Sequence, residues 1–412
     1  MQVFRARHLA SMTGPVIGDG CVVVEGDRIV DVGAYSRINP ARVDHDIDGI
    51  LMPGLINAHT HLELTNIPRP PAPISFVDWI LTISPLIRGE KETFTQRRGD
   101  AVRQGIAQCV KYGVTCVGDI SQNVEIVRPI LREGPIRSVS FGECLGIGER
   151  RWRFEELFEK AIRSEPNPFC KAGLSPHAPY TVDEAGYSKI RVEQSMGYPV
   201  STHVAETPDE AAFLRDSTGP LRELYRRIGT DPGPAVGCWE DSPVEWLCRR
   251  YRPTDWLFAH VNYCSDSDLE DLADAGVSVV WCPRTHAYFG HSPHRWQEMM
   301  QRGVPVCVGT DSCASSPDLN VLDDLRLLYE QQPALSVEML WSLVTTQADR
   351  ALGYGYEEVE AEVFGPKPLG RIDRNAMADL VSFPTASHDP LREILETSDM
   401  LPGGVWVGGV KV

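Results

Sequence analysis

Between residues 51 and about 350, short apolar runs rich in Val, Ile and Cys alternate with longer stretches whose apolar positions recur at helical spacing. The apolar runs predict eight strands, at 51–59, 114–120, 136–143, 170–176, 199–203, 256–261, 277–282 and 305–310. Amphipathic stretches at 95–112, 154–164, 182–196, 267–275 and 294–302 predict helices between them. Gly113, Gly134, Gly197, Gly276 and Gly303 stand where a helix must end before the next strand, the position that favours a left-handed residue. Strand–helix alternation of this length implies parallel strands, and eight units imply a closed (β/α)8 TIM barrel. An open doubly wound sheet is the alternative, but no Gly-x-Gly-x-x-Gly follows the first strand.

The two ends have a different texture. Residues 20–33 read as two strands around a Gly-Asp turn, and 378–383 and 404–412 repeat the pattern. Neither end can bury a core alone, so together they predict one small β-sandwich beside the barrel. The expected division is 1–50 and 353–412 for the sandwich and 51–352 for the catalytic barrel.

Composition narrows the function. A net charge of −17 argues against nucleic acid or an anionic membrane as partner, since both demand a basic footprint. No apolar run reaches the ~18–20 residues that span a bilayer, and residues 1–8 lack the apolar core of a secretory signal. The eleven cysteines are scattered with no Cys-x-x-Cys pair, which suits reduced core thiols in a cytoplasmic protein.

In such a barrel, chemistry belongs at the C-terminal ends of the strands. The first strand ends in Asn57-Ala-His59-Thr-His61, and period two places both imidazoles on one face. Further strand ends carry His177, His203 with Glu206, His260, His286 and Asp311, so six of the eleven histidines fall on this one face. His59, His61, His203 and Asp311 make up three imidazoles and a carboxylate, the composition of a catalytic site for one divalent metal ion, with Zn²⁺ placed ahead of Fe²⁺. Such an ion brings the pKa of water toward ~7. Glu206 suits a proton shuttle, His260 the holding of the nucleophilic water, and Asp311 both metal binding and that water. His177 suits substrate binding or a bridge to a second metal.

The runs Pro-Gly-Leu-Ile-Asn-Ala-His-Thr-His (53–61), His177-Ala-Pro-Tyr, Thr-His203-Val-Ala-Glu206-Thr, Cys-Pro (282–283) and Gly-Thr-Asp311-Ser, with His260, resemble the amidohydrolase superfamily over essentially the whole chain. The likeness is to its deaminase branch, which includes triazine hydrolases and the S-adenosylhomocysteine and methylthioadenosine deaminases. It implies one metal at His59, His61, His203 and Asp311, proton transfer by Glu206, His260 and Asp311, and substrate contact by His177. A second metal is disfavoured, because no lysine ends strand four. It also implies a small N-heterocyclic substrate, and it allows a homo-oligomer. Two departures, Cys-Pro-Arg-Thr-His286 and His61-Leu-Glu63-Leu-Thr, are similar to a subgroup that includes aminodeoxyfutalosine deaminases.

Other side chains have two readings. Trp79 can stack on a planar base or pack in an amphipathic helix. Arg284 can bind a ribose or carboxylate, or form a strand-end ion pair, and Glu143 at the end of strand three faces the same choice. Glu63 and His286 join the candidates for substrate contact. The long stretch 207–255, with Trp239 and Trp246, reads as a substrate-covering lid or an elaborated surface segment. The expected function is hydrolytic deamination of an adenosine-like nucleoside such as aminodeoxyfutalosine. The alternatives are a guanine or pterin deaminase, a triazine-type hydrolase, and an inactive binding protein.

Overall fold

Four strands precede the barrel: β1 (Gln2–Leu9), β2 (Ile17–Glu25), β3 (Arg28–Ala34) and β4 (His45–Pro53). They are seen in a computed structural model that describes residues 1–163, 165, 167–233, 242–354 and 367–412. The expected Gly-Asp turn joins β2 to β3, with Gly26 in the left-handed region at φ 61°. The barrel strands follow as β5 (Leu55–Thr60), β6 (Val114–Ser121), β7 (Arg137–Cys144), β8 (Cys170–Pro176), β9 (Ser201–Val204), β10 (Leu257–His260), β11 (Ser278–Trp281) and β12 (Val306–Val308). Three last strands, β13 (Leu380–Phe383), β14 (Gly404–Val407) and β15 (Val410–Lys411), return to the first four.

The terminal strands form one hydrogen-bonded sheet in the order β15-β14-β13-β4-β1-β2-β3. Both ends of the chain therefore build it together, as expected. The first barrel strand is shorter than its apolar run suggested. Residues 51–53 belong to β4, where Leu51, Met52 and Pro53 pair with Ser382, Val381 and Leu380 of β13. The chain passes into the barrel at Gly54, where a Cβ would lie 2.1 Å from Thr115 Oγ1. An unbroken apolar run hides this handover, because both sheets bury it.

Strands β5 to β8 and β9 to β12 make two parallel four-stranded sheets. Isolated parallel bridges join their edges at both seams, Leu174 to Val200 and Thr60 to Asp311. This is the (β/α)8 barrel that the alternation implied. Strands β5, β6 and β7 are buried along their whole length, as a barrel wall covered by helices requires. The helix Asp266–Ala275 shows how locally the sequence sets its elements. Ser265 and Asp268 form a capping box, and Gly276 closes the other end at φ 70°. The cysteines among the described residues are free thiols, almost all buried. Among those residues no helix is long and apolar enough to cross a membrane.

Candidate metal centre

The end of β5 is sewn to the end of β12. Asn57, wholly buried, donates from Nδ2 to Thr310 Oγ1 at 2.7 Å and accepts from the Thr310 N–H at 3.0 Å. The N–H groups of Thr310 and Asp311 both donate to the carbonyl of His59, at 3.1 and 3.0 Å. Gly309 permits this approach, since a Cβ there would lie 2.7 Å from the His59 backbone. His59 and Asp311, far apart in sequence, are thereby held at one point.

The nitrogen donors of His59, His61 and His203 lie within 4.8 Å of one another. Asp311 Oδ1 is 3.6 Å from His61 Nε2. His59 is fully buried, and neither of its ring nitrogens has a hydrogen-bond partner. An imidazole left without partners in a dry site costs free energy unless something else takes its lone pair. His203 donates from Nδ1 to the His177 carbonyl at 2.9 Å, which leaves Nε2 unprotonated. Burial drives the His59 and His61 imidazoles well below their ordinary range and His203 to about 4, so all three are neutral at pH 7. Neutral donors, an orphaned buried imidazole and a nearby carboxylate fit a divalent metal ion.

Next to these donors, Glu206, His260 and Asp311 bring their donor atoms within 4.8 Å of one another. Glu206 Oε1 lies 3.6 Å from His260 Nε2. Burial, reinforced by the charges of Asp311 and Glu210, holds the Glu206 carboxyl well above the usual carboxylate range. Asp311 is raised to about 6 by burial and accepts from the Ser312 N–H at 2.7 Å and the Ser315 hydroxyl at 3.1 Å. The loop that carries Glu206 is fixed by another buried acid. Glu210 accepts from the N–H groups of Ala205, Glu206 and Thr207 at 3.0, 2.7 and 3.3 Å. Ala205, His260, Val261 and Asp311 all have positive φ, 49°, 74°, 48° and 62°. Such backbone is rare outside glycine and concentrates where a scaffold aims functional side chains.

A cavity of about 320 Å³ opens from this cluster. His61, His203, Glu206, His260 and Asp311 line it, and so do His177 and Trp79. Glu63, Arg284 and His286 do not line it. Glu63 is buried beneath the wall and accepts from the Gln122 N–H at 2.8 Å and Asn123 Nδ2 at 2.5 Å. Arg284 turns outward and is taken up by Asp324 at 3.0 Å and Asp318 at 2.7 Å. His286 is buried against Trp281 and His291. The side chains of Glu63 and Arg284 are spent on the fold, whereas the buried His286 Nε2 has no hydrogen-bond partner.

The cavity is also lined by polar residues outside the histidine-bearing strand ends. Gln122, just beyond β6, donates from Nε2 to Glu143 Oε2 at 2.6 Å and accepts from Arg153 at 2.7 Å. Glu143 Oε1 lies 3.9 Å from His177 Nε2, so it is a pocket residue rather than a surface ion pair. Strand β6 ends in no histidine, so only its polar residue Gln122 marks it as part of the site. The stretch 207–255 divides. Leu224, Tyr225 and Ile228 line the cavity, whereas Trp246 packs in the core against Tyr187 and Tyr251, and Trp239 lies outside the described residues.

The model of the amidohydrolase family matches residues 50–412. The chain belongs to this family. As an amidohydrolase it is a hydrolase of carbon–nitrogen bonds. An aminodeoxyfutalosine deaminase of Deinococcus radiodurans is 28% identical over 359 residues, 81% of each chain. A 5′-deoxyadenosine deaminase of Methanopyrus kandleri is 28% identical over 371 residues, 84% of this chain and 77% of the other. Among solved structures, a zinc-bound adenosine deaminase from Xanthomonas campestris aligns with a TM-score of 0.79 at 22% identity, covering 100% of this amidohydrolase and 92% of that chain.

Proposed function

We propose that this amidohydrolase is a metal-dependent hydrolytic deaminase of adenosine-like nucleosides, with an aminodeoxyfutalosine-like molecule ahead of S-adenosylhomocysteine or methylthioadenosine. The observation that carries the reading is Glu206 beside His61, His203, His260 and Asp311 on the wall of one cavity, with the buried, unpartnered His59 clustered against His61 and His203. The names of the relatives agree with it. His59, His61, His203 and Asp311 would hold the ion, with zinc preferred to iron because zinc is bound in the Xanthomonas campestris protein. When bound, a divalent ion supplies the acidity that makes water nucleophilic near neutral pH.

The rest is work for side chains. His260 and Asp311 orient the attacking water toward the ring carbon that bears the amine. As the carbon–oxygen bond forms, Glu206 delivers its proton to the adjacent ring nitrogen and Asp311 takes one proton from the attacking water; Glu206 then carries the proton of the added hydroxyl to the departing amine, and the proton on Asp311 restores Glu206. Water is consumed, and ammonia and the hydroxy (oxo) purine are released. Trp79 and His177 line the cavity where the base and sugar would lie.

The test is ammonia release by the metal-loaded protein from a panel of adenosine derivatives with different 5′ groups, guanine, pterins and triazines. Ammonia from the adenosine derivatives supports the reading. Chloride from a chlorotriazine, with no ammonia from any nucleoside, would assign the site to another leaving group.

A further inference from the structure

Resting on the deaminase reading, in which His260 orients the attacking water, we infer that His294 is a positioning residue: it holds the peptide that aims His260. His294 does not line the cavity; it lies between β11 and the helix Trp296–Gln301. Its Nε2 stands 2.8 Å from the carbonyl oxygen of His260. A carbonyl can only accept, so Nε2 carries the proton and Nδ1 is bare. Burial drives this imidazole down to about 3, so it is neutral at pH 7 and has that one N–H to give. The bare Nδ1 is buried without a partner. Among the described residues, then, the ring makes one hydrogen bond, to the backbone of His260.

That bond falls on the most constrained peptide of the site. Strand β10 ends at His260, and His260 and Val261 follow one another in the left-handed region, at φ 74° and 48°. Such backbone is uncommon for any residue but glycine, and most of all for a β-branched valine, so the surroundings must hold it. The peptide between the two residues is gripped at both edges. Its N–H, that of Val261, donates to the Val204 carbonyl on β9 at 2.9 Å. Its carbonyl, that of His260, accepts from His294. Asn262 extends the first grip, donating from Nδ2 to the Glu206 carbonyl at 2.9 Å. One edge of the turn is thus tied to the strand and loop that carry His203 and Glu206, and the other edge to His294. Without the His294 donor the carbonyl of the buried His260 has no partner, and the left-handed pair loses one of the two grips on it. Relaxation of the turn shifts the imidazole, whose Nε2 lies 3.6 Å from Glu206 Oε1.

The ring that makes the bond is itself held. His294 lies flat on Trp281, the last residue of β11, with centroids 4.6 Å apart and planes within 12°. Trp281 is stacked in turn with Trp296, at 6.1 Å and 26°. His286 stands edge-on to Trp281 and to His294, at 5.5 and 5.9 Å. The buried His286 therefore packs the ring that holds His260 and serves the site without touching the cavity. Because the contact between His294 and His260 runs through a backbone carbonyl, the cluster is a clamp and not a proton path between the two rings.

The test separates the hydrogen bond from the packing. His294→Phe keeps a flat ring on Trp281 and removes the donor, whereas His294→Gln keeps a donor and gives up the ring. In the zinc-loaded protein His294→Phe should lower kcat for an adenosine derivative about 10–100-fold, with KM changed less than about twofold and metal content that of the parent. His294→Gln should recover most of the lost kcat, even where it melts below the Phe variant. Packing alone would give the opposite order. A Phe variant with the parent's kcat, or a Gln variant no faster than the Phe variant, overturns the inference. Nitrogen NMR of the zinc-loaded, histidine-labelled protein reads the same bond without turnover. The His294 signals, identified by their loss in the Gln variant, should show a protonated Nε2 and a bare Nδ1, and the His260 signals should move in the Phe variant. A proton on His294 Nδ1 instead overturns the inference whether or not ammonia appears. The expected spectra with no ammonia from any derivative overturn the deaminase reading and leave the clamp on His260 standing.

Discussion

Glu210 never touches the cavity, yet its replacement should cost both stability and turnover. Its carboxylate is wholly buried and is the acceptor for three successive N–H groups, those of Ala205, Glu206 and Thr207. Glu210→Ala strands all three donors in a dry site. At about 1–3 kcal/mol for each unsatisfied buried group, with relaxation recovering part, the loss is about 3–5 kcal/mol. Glu210→Gln is milder. Its oxygen can keep the two bonds to Glu206 and Thr207, but its amide then opposes the Ala205 N–H, for a loss of about 1–2 kcal/mol. Turnover should fall further than stability suggests, because a shift of about 1 Å in a catalytic group costs on the order of 100-fold. Chemical denaturation with metal content held equal, alongside kcat, measures both.

The same residue sets a pH dependence. Burial pushes the Glu210 carboxyl up to about 7 despite its three donors. Because that value lies above the ordinary carboxyl range, the native state binds the extra proton, and stability contributed by this group falls as pH rises from about 4.5 toward 7. Glu210→Gln should flatten that part of the stability curve. An alanine variant within about 0.5 kcal/mol of the parent and with unchanged kcat would refute the claim that Glu210 holds the catalytic loop.

Two further substitutions separate the roles of neighbouring residues. Glu206→Gln should lower kcat by about 10²–10⁴-fold while metal stoichiometry, read by elemental analysis, stays that of the parent; undiminished turnover would remove Glu206 from proton transfer. Arg284→Met breaks an ion pair with the fully buried Asp324 and should cost about 3–5 kcal/mol in denaturation without changing KM for any nucleoside, whereas a KM effect with intact stability would return Arg284 to the substrate.

What could be read in the chain follows from the range of the physics involved. His59, His61, His203 and Asp311 were legible because strand periodicity is local and a barrel gathers its strand ends at one mouth. Arg284 was misleading for the opposite reason. Its partners, Asp318 and Asp324, lie 34 and 40 residues away, and nothing near Arg284 in sequence announces them. Glu63 likewise serves Gln122 and Asn123, some 60 residues on. Arg88, Arg150 and Arg153 belong to a helix end and to the segment after β7, where a lone arginine reads as solvated surface. Only the fold shows that all three line the cavity. The handover at Gly54 was invisible because apolar residues are buried on both sides of it.

The central claim is that one divalent ion, held by His59, His61, His203 and Asp311, is required for release of ammonia from an adenosine-like nucleoside. The most direct measurement is ammonia release from the chelated protein as zinc is added back in known equivalents. The account predicts activity that rises in proportion to bound metal and levels off at about one ion per chain. Full activity in the metal-free protein, or no ammonia from any adenosine derivative at full occupancy, would contradict it.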